Sequence, residues 1–329
     1  MHMGRLALVA MSSLALAGGC AAGSGAEDDG RLRVVTTVAP ITSLAAGVAG
    51  EAAVVTGTVP EGADSHTFDP PPSTARALSR ADVVFVNGLG LEEPILALAG
   101  RTTDATVVAL GEEVLAEADY IFDFSFPAEE GRPNPHLWTD PTYARRYAEV
   151  IRDTLVRLDP GRAGAYRANF EAVAAAVDGL DAAVRTATAT IPPERRKLLT
   201  YHDAYAYFAR TYGWEVVGAI QPASFEEPTA REVVRLVEQV RSEGVTAIFG
   251  SEVFPSPTLA RIGEETGVAY VDVLRDDDLP GDPGDPDHSW LGLMRFDFVT
   301  MVGALGGDPS ALEAVDTGAW PPGRGDYPQ

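Results

Sequence analysis

The sequence predicts an α/β fold in which each half of the chain forms a mostly parallel sheet flanked by helices. Three observations predict it. Short β-branched or apolar runs alternate with helical stretches from residue 33 onward, the same alternation returns from residue 197, and a long alanine-rich stretch, 159–193, separates the halves. Parallel neighbours need a crossover connection, and a helix between two short apolar strands supplies it.

In the first half, VVTTVA (34–39) is a short strand, and Pro40 opens a helix to about Val48. AAVVTGTV (52–59) is the second strand, Ser73 caps a short helix ending near Arg80, and DVVFVNG (82–88) is a strand stopped by Asn-Gly. A helix from Leu91 to Ala99 and a strand ATVVAL (105–110) follow. In the second half, KLLT (197–200), WEVVGAI (214–220), VTAIFG (245–250) and VAYVDVL (268–274) are strands, with helices near 203–212, 229–243 and 257–266 between them. The stretch 159–193 opens with Asp-Pro and closes at Pro192-Pro193. Some 28 helical residues would extend about 42 Å, either as a long surface helix or as a strut joining two lobes. The tail from Thr317, rich in Pro and Gly, is expected to be poorly ordered. The expected organisation is a signal segment 1–19, a tether 20–32, a lobe 33–158, a linking helix 159–191, a lobe 192–310 and a tail 311–329.

The chain has 329 residues with 46% hydrophobic and 22% charged, enough for a sizeable core. Its 25 basic against 48 acidic residues give a net charge of −23, which opposes nucleic acid or an anionic membrane surface as a partner but not a cation. The first residues set one arginine, Arg5, before an apolar run Leu6 to Ala17, a secretory pattern too short to span a bilayer. The single cysteine, Cys20, follows Leu16-Ala17-Gly18-Gly19, as in a bacterial lipobox. One cysteine excludes an intramolecular disulfide and a thiolate metal cluster. The mature protein is therefore expected outside the cytoplasm, held at the membrane by acyl chains on Cys20, or released after simple cleavage.

Beyond His2, the histidines are His66 in GADSHTFDPPPS, His136 in NPHLWTDP, His202 in LLTYHDAYAYFA and His288 in GDPDHSW. His66, His136 and His202 share a placement at loop tips and strand ends, where open α/β sheets bind ligands. Singly, each reads as a loop or capping residue; jointly they could form one site. Imidazoles with one carboxylate suit zinc better than magnesium or calcium. Asp272 lies in an apolar strand end, where an unpaired charge is costly, whereas Asp276, Asp277 and Asp278 read as a solvated acidic loop. His288 is placed in solvent. Asp64, Asp69 and Asp203 lie near the histidines in sequence and could orient the imidazoles.

These stretches together resemble the zinc/manganese substrate-binding proteins of bacterial ABC transporters, over about residues 33–307. GADSHTFDPPPSTARALSRADVVFVNGLGLE, NPHLWTDPTYA, YHDAYAYFARTYGW, and GVAYVDVLRDDD with HSWLGLMRFDFVTMVGALGG occur in the family's order. The resemblance implies two α/β lobes bridged by one long helix, a metal ion buried between them, and a monomer. It implies His66 and His136 as ligands from the first lobe and His202 and Asp272 from the second, with Asp276, Asp277 and Asp278 as substitutes for Asp272. The manganese branch carries glutamate at the third motif; His202 matches the zinc branch. The implied function is capture of Zn2+, with Mn2+ as the lesser alternative, and its delivery to the permease of an ABC transporter. The segment 117–134, with Asp119, Asp123, Glu129 and Glu130 but no histidine, stands where many zinc-branch members have a long His-rich loop; a solvated loop is expected there.

No enzyme is expected, because a closed four-ligand site leaves no position for water. Affinity should fall below roughly pH 6, where imidazoles protonate. The rival readings are a secreted zinc hydrolase, with Glu226, Glu227 or Glu252 as base, and an adhesin with a structural metal. His-Glu-x-x-His and Gly-x-Ser-x-Gly are both absent from the sequence.

Overall fold

The computed structural model describes residues 29–123, 126, 128–219, 229–251 and 256–327. The expected signal segment, Cys20 and most of the tether lie outside these residues, as do Glu226, Glu227 and Glu252.

In the first half, β1 (Leu32–Thr36), α1 (Ala39–Ala49), β2 (Ala53–Gly57), α2 (Pro72–Leu78), β3 (Val83–Val86), α3 (Glu93–Thr102), β4 (Thr106–Ala109) and the short α4 (Leu110–Val114) precede α5 (Pro141–Leu158). The long α6 (Ala163–Thr190) leads to β5 (Lys197–Thr200), α7 (Ala206–Tyr212), β6 (Glu215–Ala219), α8 (Ala230–Glu243), β7 (Ala247–Ser251), α9 (Pro257–Thr266) and β8 (Ala269–Leu274). The chain closes with α10 (Trp290–Ala304), α11 (Ser310–Glu313) and β9 (Gly325–Asp326).

The strands form two parallel sheets, ordered β4-β3-β1-β2-β9 and β6-β5-β7-β8. In the first, Val34 of β1 pairs with Val55 of β2 and Val83 of β3. All four residues of β3 are buried, as expected of an inner parallel strand covered on both faces. Ser73, expected to cap α2, lies inside it, and the residue before the helix is Pro71. Asp140 caps α5 by accepting the Thr142 N–H at 2.8 Å, with Pro141 at the first helical position. Gly213, at φ 71°, and Gly267, at φ 73°, end α7 and α9 in the left-handed conformation that glycine takes without strain.

The 28 residues of α6 span about 42 Å at 1.5 Å each. Tyr166, Phe170, Val173, Val177, Leu180, Val184 and Ala187 recur at helical spacing on its buried stripe. Its beginning is tied to the first half, where the Tyr166 hydroxyl donates to the Ala52 carbonyl and Asn169 Nδ2 to the Val48 carbonyl, each at 3.2 Å. Its end is tied to the second, where the Tyr212 hydroxyl donates to Asp181 at 2.6 Å and Trp214 Nε1 to Thr188 Oγ1 at 3.1 Å. The helix therefore bridges the lobes, as the strut reading requires. One apolar core, from Val34 and Phe85 through Trp138, Phe208 and Phe249 to Trp290 and Phe298, runs through both halves without a break. A continuous core of this kind opposes wide separation of the lobes.

The tail corrects the expectation of a poorly ordered end. After α11, β9 adds to the edge of β2 in parallel, pairing Gly325 with Val55 and Asp326 with Thr56. Trp320 is buried against Trp290, with ring centroids 5.8 Å apart, and its indole faces Gly47 of α1. Proline and glycine composition hid the anchors, which are the β9 pairing and an aromatic side chain docking on a helix surface that offers no Cβ at Gly47.

Candidate metal centre

Three loops deliver the histidines. His66 lies on the loop after β2, His136 just before a 3-10 turn leading into α5, and His202 just after β5. Asp64 shapes the first loop as an Asx turn, its carboxylate accepting the His66 N–H at 2.8 Å and the Thr67 hydroxyl. Thus Asp64 positions the His66 backbone. Asp69 is exposed.

The three Nε2 atoms form a triangle: His66 to His136 3.2 Å, His66 to His202 3.3 Å, and His136 to His202 2.9 Å. Among the described residues, these histidines are the group of metal-ligating side chains whose ligand atoms converge within 4.8 Å of one another. An ion bonded to each nitrogen at about 2.1 Å in tetrahedral geometry would set them about 3.4 Å apart, close to the triangle observed. The imidazole of His136 is set for this. Its Nδ1 lies 2.9 Å from Asn134 Oδ1, whose amide nitrogen donates to Asp123 Oδ2 at 3.1 Å and the Asp203 carbonyl at 3.0 Å. The amide oxygen only accepts, so Nδ1 carries the hydrogen and Nε2 turns a lone pair to the centre. Burial holds His66 down to about 4 and His202 down to about 3, and holds His136 well below the usual histidine range. For His136 the neighbouring His202 and His66 add to the effect. The imidazoles are therefore neutral at pH 7, as metal ligation requires.

The carboxylate predicted from the sequence is elsewhere. Asp272 on β8 is exposed and lies outside the converging group, because the strand's apolar pattern there faces less of the core than its composition suggests. The acidic turn read as solvated is instead packed in: Asp276 is 5% exposed and Asp278 9%. Asp276 Oδ2 stands 3.9 Å from His202 Nδ1, and Asp276 adopts φ 53°, a conformation uncommon outside glycine that concentrates at functional positions. Its Oδ1 lies 2.9 Å from the Tyr205 hydroxyl, which is also 2.8 Å from Asp297 Oδ2. Burial, then the neighbouring Asp297 and Asp277, raise Asp276 well above the carboxylate range. Asp277 and Asp297 are both pushed up to about 7, chiefly by burial. A cation nearby would relieve this crowding of acid.

The halves are tied around the centre. Thr139 Oγ1 donates to the Ala204 carbonyl at 2.8 Å, Ser65 Oγ to Asp277 Oδ2 at 3.0 Å, and the Gly62 N–H to Asp278 Oδ1 at 2.8 Å. His288 is not in solvent: it is half-buried with Nε2 3.2 Å from Glu61 Oε1, and that carboxylate raises it above the usual histidine range.

Residues 34–304 match the family described as zinc-uptake complex component A, periplasmic. The chain belongs to this family. As a member it is the substrate-binding component of a metal ABC transporter, a receptor and not an enzyme. It is similar to the manganese-binding lipoprotein MntA of Halalkalibacterium halodurans, 33% identical over 87% of this chain and 94% of that one. The zinc-binding protein TroA of Treponema pallidum is 26% identical over 85% of this chain and 91% of that protein. The solved structure of that periplasmic zinc-binding protein superposes with a TM-score of 0.75 at 26% identity, over 84% of this chain and 99% of the other. A cadmium-bound periplasmic metal-binding protein from Candidatus Liberibacter asiaticus gives a TM-score of 0.74 at 25% identity, over 84% of this chain and all (100%) of that one. No helix among the described residues is long and apolar enough to cross a membrane.

Sequence reasoning missed Asn134, Phe126, Tyr205 and Asp297. A signal existed for Asp297, a lone carboxylate inside the apolar stretch of α10. Asn134 acts through its bonds to Asp123 and to the Asp203 carbonyl, which spacing does not reveal.

Proposed function

We propose that this receptor captures a zinc ion between its lobes and delivers it to the permease of its transporter. The observation that carries the reading is the Nε2 triangle of His66, His136 and His202, with edges of 2.9–3.3 Å. Three neutral imidazoles are soft enough to favour zinc over manganese, which prefers oxygen-rich octahedral sites. Asp276 is the carboxylate we assign to the fourth position, in place of Asp272. Its Oδ2 lies 3.9 Å from His202 Nδ1, and that contact supports the assignment. In the resemblance to the manganese branch a glutamate replaces His202, which again favours zinc here. The location outside the cytoplasm and an acyl anchor on Cys20 follow from the leader and from relatives described as lipoproteins. Capture requires no chemistry at the ion.

A manganese receptor is the second reading, favoured by the 33%-identical relative, a manganese-binding lipoprotein. Competition titration of chelator-stripped protein separates them. One zinc per chain, held at least about 100-fold tighter than manganese, supports the zinc reading; equal affinity, or manganese bound more tightly, removes it. A stable apo fold that reloads would oppose a purely structural metal.

A further inference from the structure

Phe126 lies against the centre without offering a ligand. Its ring centroid is 6.1 Å from that of His66, with planes 30° apart, and 5.9 Å from that of His136, edge to face at 62°. It therefore covers two of the three imidazoles. Phe126 is half-buried, while Phe122 and residues 128–132 on either side of it are exposed. The ring thus flanks the histidines beside an exposed stretch of chain.

The backbone of Phe126 is held by one carboxylate. Its N–H donates to Asp123 Oδ1 at 3.0 Å, and the Asp123 N–H donates to the Phe126 carbonyl at 3.0 Å. The other oxygen of Asp123 accepts from Asn134 Nδ2 at 3.1 Å. Asn134 Oδ1 in turn faces both the backbone N–H of His136, at 3.1 Å, and its ring Nδ1, at 2.9 Å. One unbroken series of hydrogen bonds thus joins a metal-facing imidazole to the backbone of the residue whose ring packs against it. Displacing an ion from imidazoles requires an incoming ligand, water or a competing chelator, to reach it. An apolar ring over the approach excludes that ligand and contributes nothing to the bond set itself.

Building on the metal-receptor reading, we propose that Phe126 shields the metal position and sets the rate of metal exchange, held in place over His136 by the Asp123–Asn134 bridge. The role is kinetic: removing the ring should speed entry and exit together, so affinity changes less than either rate.

The test uses the full chain loaded with zinc, mixed rapidly with excess chelator, in wild type, Phe126→Ala, Phe126→Leu and Asp123→Ala. Phe126→Ala is expected to keep one zinc per chain and to release it at least about tenfold faster. Asp123→Ala should speed release similarly, and Phe126→Leu less, since it keeps apolar bulk. If Phe126→Ala does not fold, Phe126→Leu carries the test. Unchanged release rates at one zinc per chain overturn the proposal, whatever happens to melting temperature, because a packing role moves stability alone. Failure of wild type to bind zinc at all overturns the zinc reading instead, and manganese release from the same variants then tests the shield.

Discussion

The two halves bring histidines to one point by different means. In the first, local polar bonds preset the imidazoles: Asp64 shapes the His66 turn, and Asn134 fixes which nitrogen of His136 faces the centre. In the second, His202 is held by bonds reaching across, from Asn134 to the Asp203 carbonyl and from Thr139 to the Ala204 carbonyl. The charge is divided just as unevenly. The acids packed about the centre, Asp276, Asp278 and Asp297, come from the second half, whereas the buried acids of the first, Glu92 and Asp140, bond their own half at Asn87 and Thr142. The strands differ too: β3 is buried at every position, while β8 exposes Asp272 and Val273. The first half therefore acts as a rigid template of neutral nitrogens, and the second supplies negative charge that a cation relieves.

Removing the template should cost most. His136→Ala is expected to weaken zinc binding by more than about 100-fold in a chelator competition, since even orienting partners of metal ligands cost 10–100-fold; a loss below tenfold would shift the weight to the second half. Asn134→Ala is expected to cost about 10–100-fold, with the His136 ring free to turn its protonated nitrogen inward. On the other side, Asp276→Ala should cost about tenfold or more while Asp272→Ala leaves affinity unchanged. Equal effects of these two would undo the assignment of Asp276.

Acid should test the same contrast more gently. The three imidazoles are depressed, His66 to about 4 and His202 to about 3, so their contribution to apo stability is complete above 6.5 and is lost as pH falls toward those values. Asp277 and Asp297, raised to about 7, run the other way: their contribution is complete below 3.8 and is lost as pH rises through about 7. Between these limits the two sets oppose each other, so apo melting temperature should change little from pH 6.5 to 5. Replacing Asp277 and Asp297 with asparagine should expose a steady fall with acid, seen by thermal melts. The expected loss of zinc affinity near pH 6 moves lower for the same reason, because burial keeps the imidazoles neutral. Zinc titrations at pH 5.5 should still show tight binding.

A control lies in the tail, which offers no group to the histidine triangle. Trp320→Ala should lower stability by about 3 kcal/mol, as for a buried tryptophan, and leave zinc affinity intact.

Much of this was legible in the sequence. Strand and helix order in both halves, the long α6 and the histidines at strand ends follow from alternation, proline punctuation and strand-end placement, all of them local signals. The misplaced residues depend on tertiary contacts. Asp272 sits in an apolar run, but β8 leaves that side uncovered. Asp276 and Asp278 look solvated by composition, yet the turn folds back so that Asp278 accepts from the Gly62 N–H. The tail looks loose because Pro and Gly dominate it, while Trp320 and two residues of β9 hold it down.

The central claim is that nitrogens from both halves meet on one ion. A crystal structure of the zinc-loaded protein, with the metal located by its anomalous scattering, tests it most directly. The account predicts a single site with Nε2 of His66, His136 and His202 each about 2.0–2.1 Å from zinc. An ion held by only one half, or bound away from His202, would contradict it.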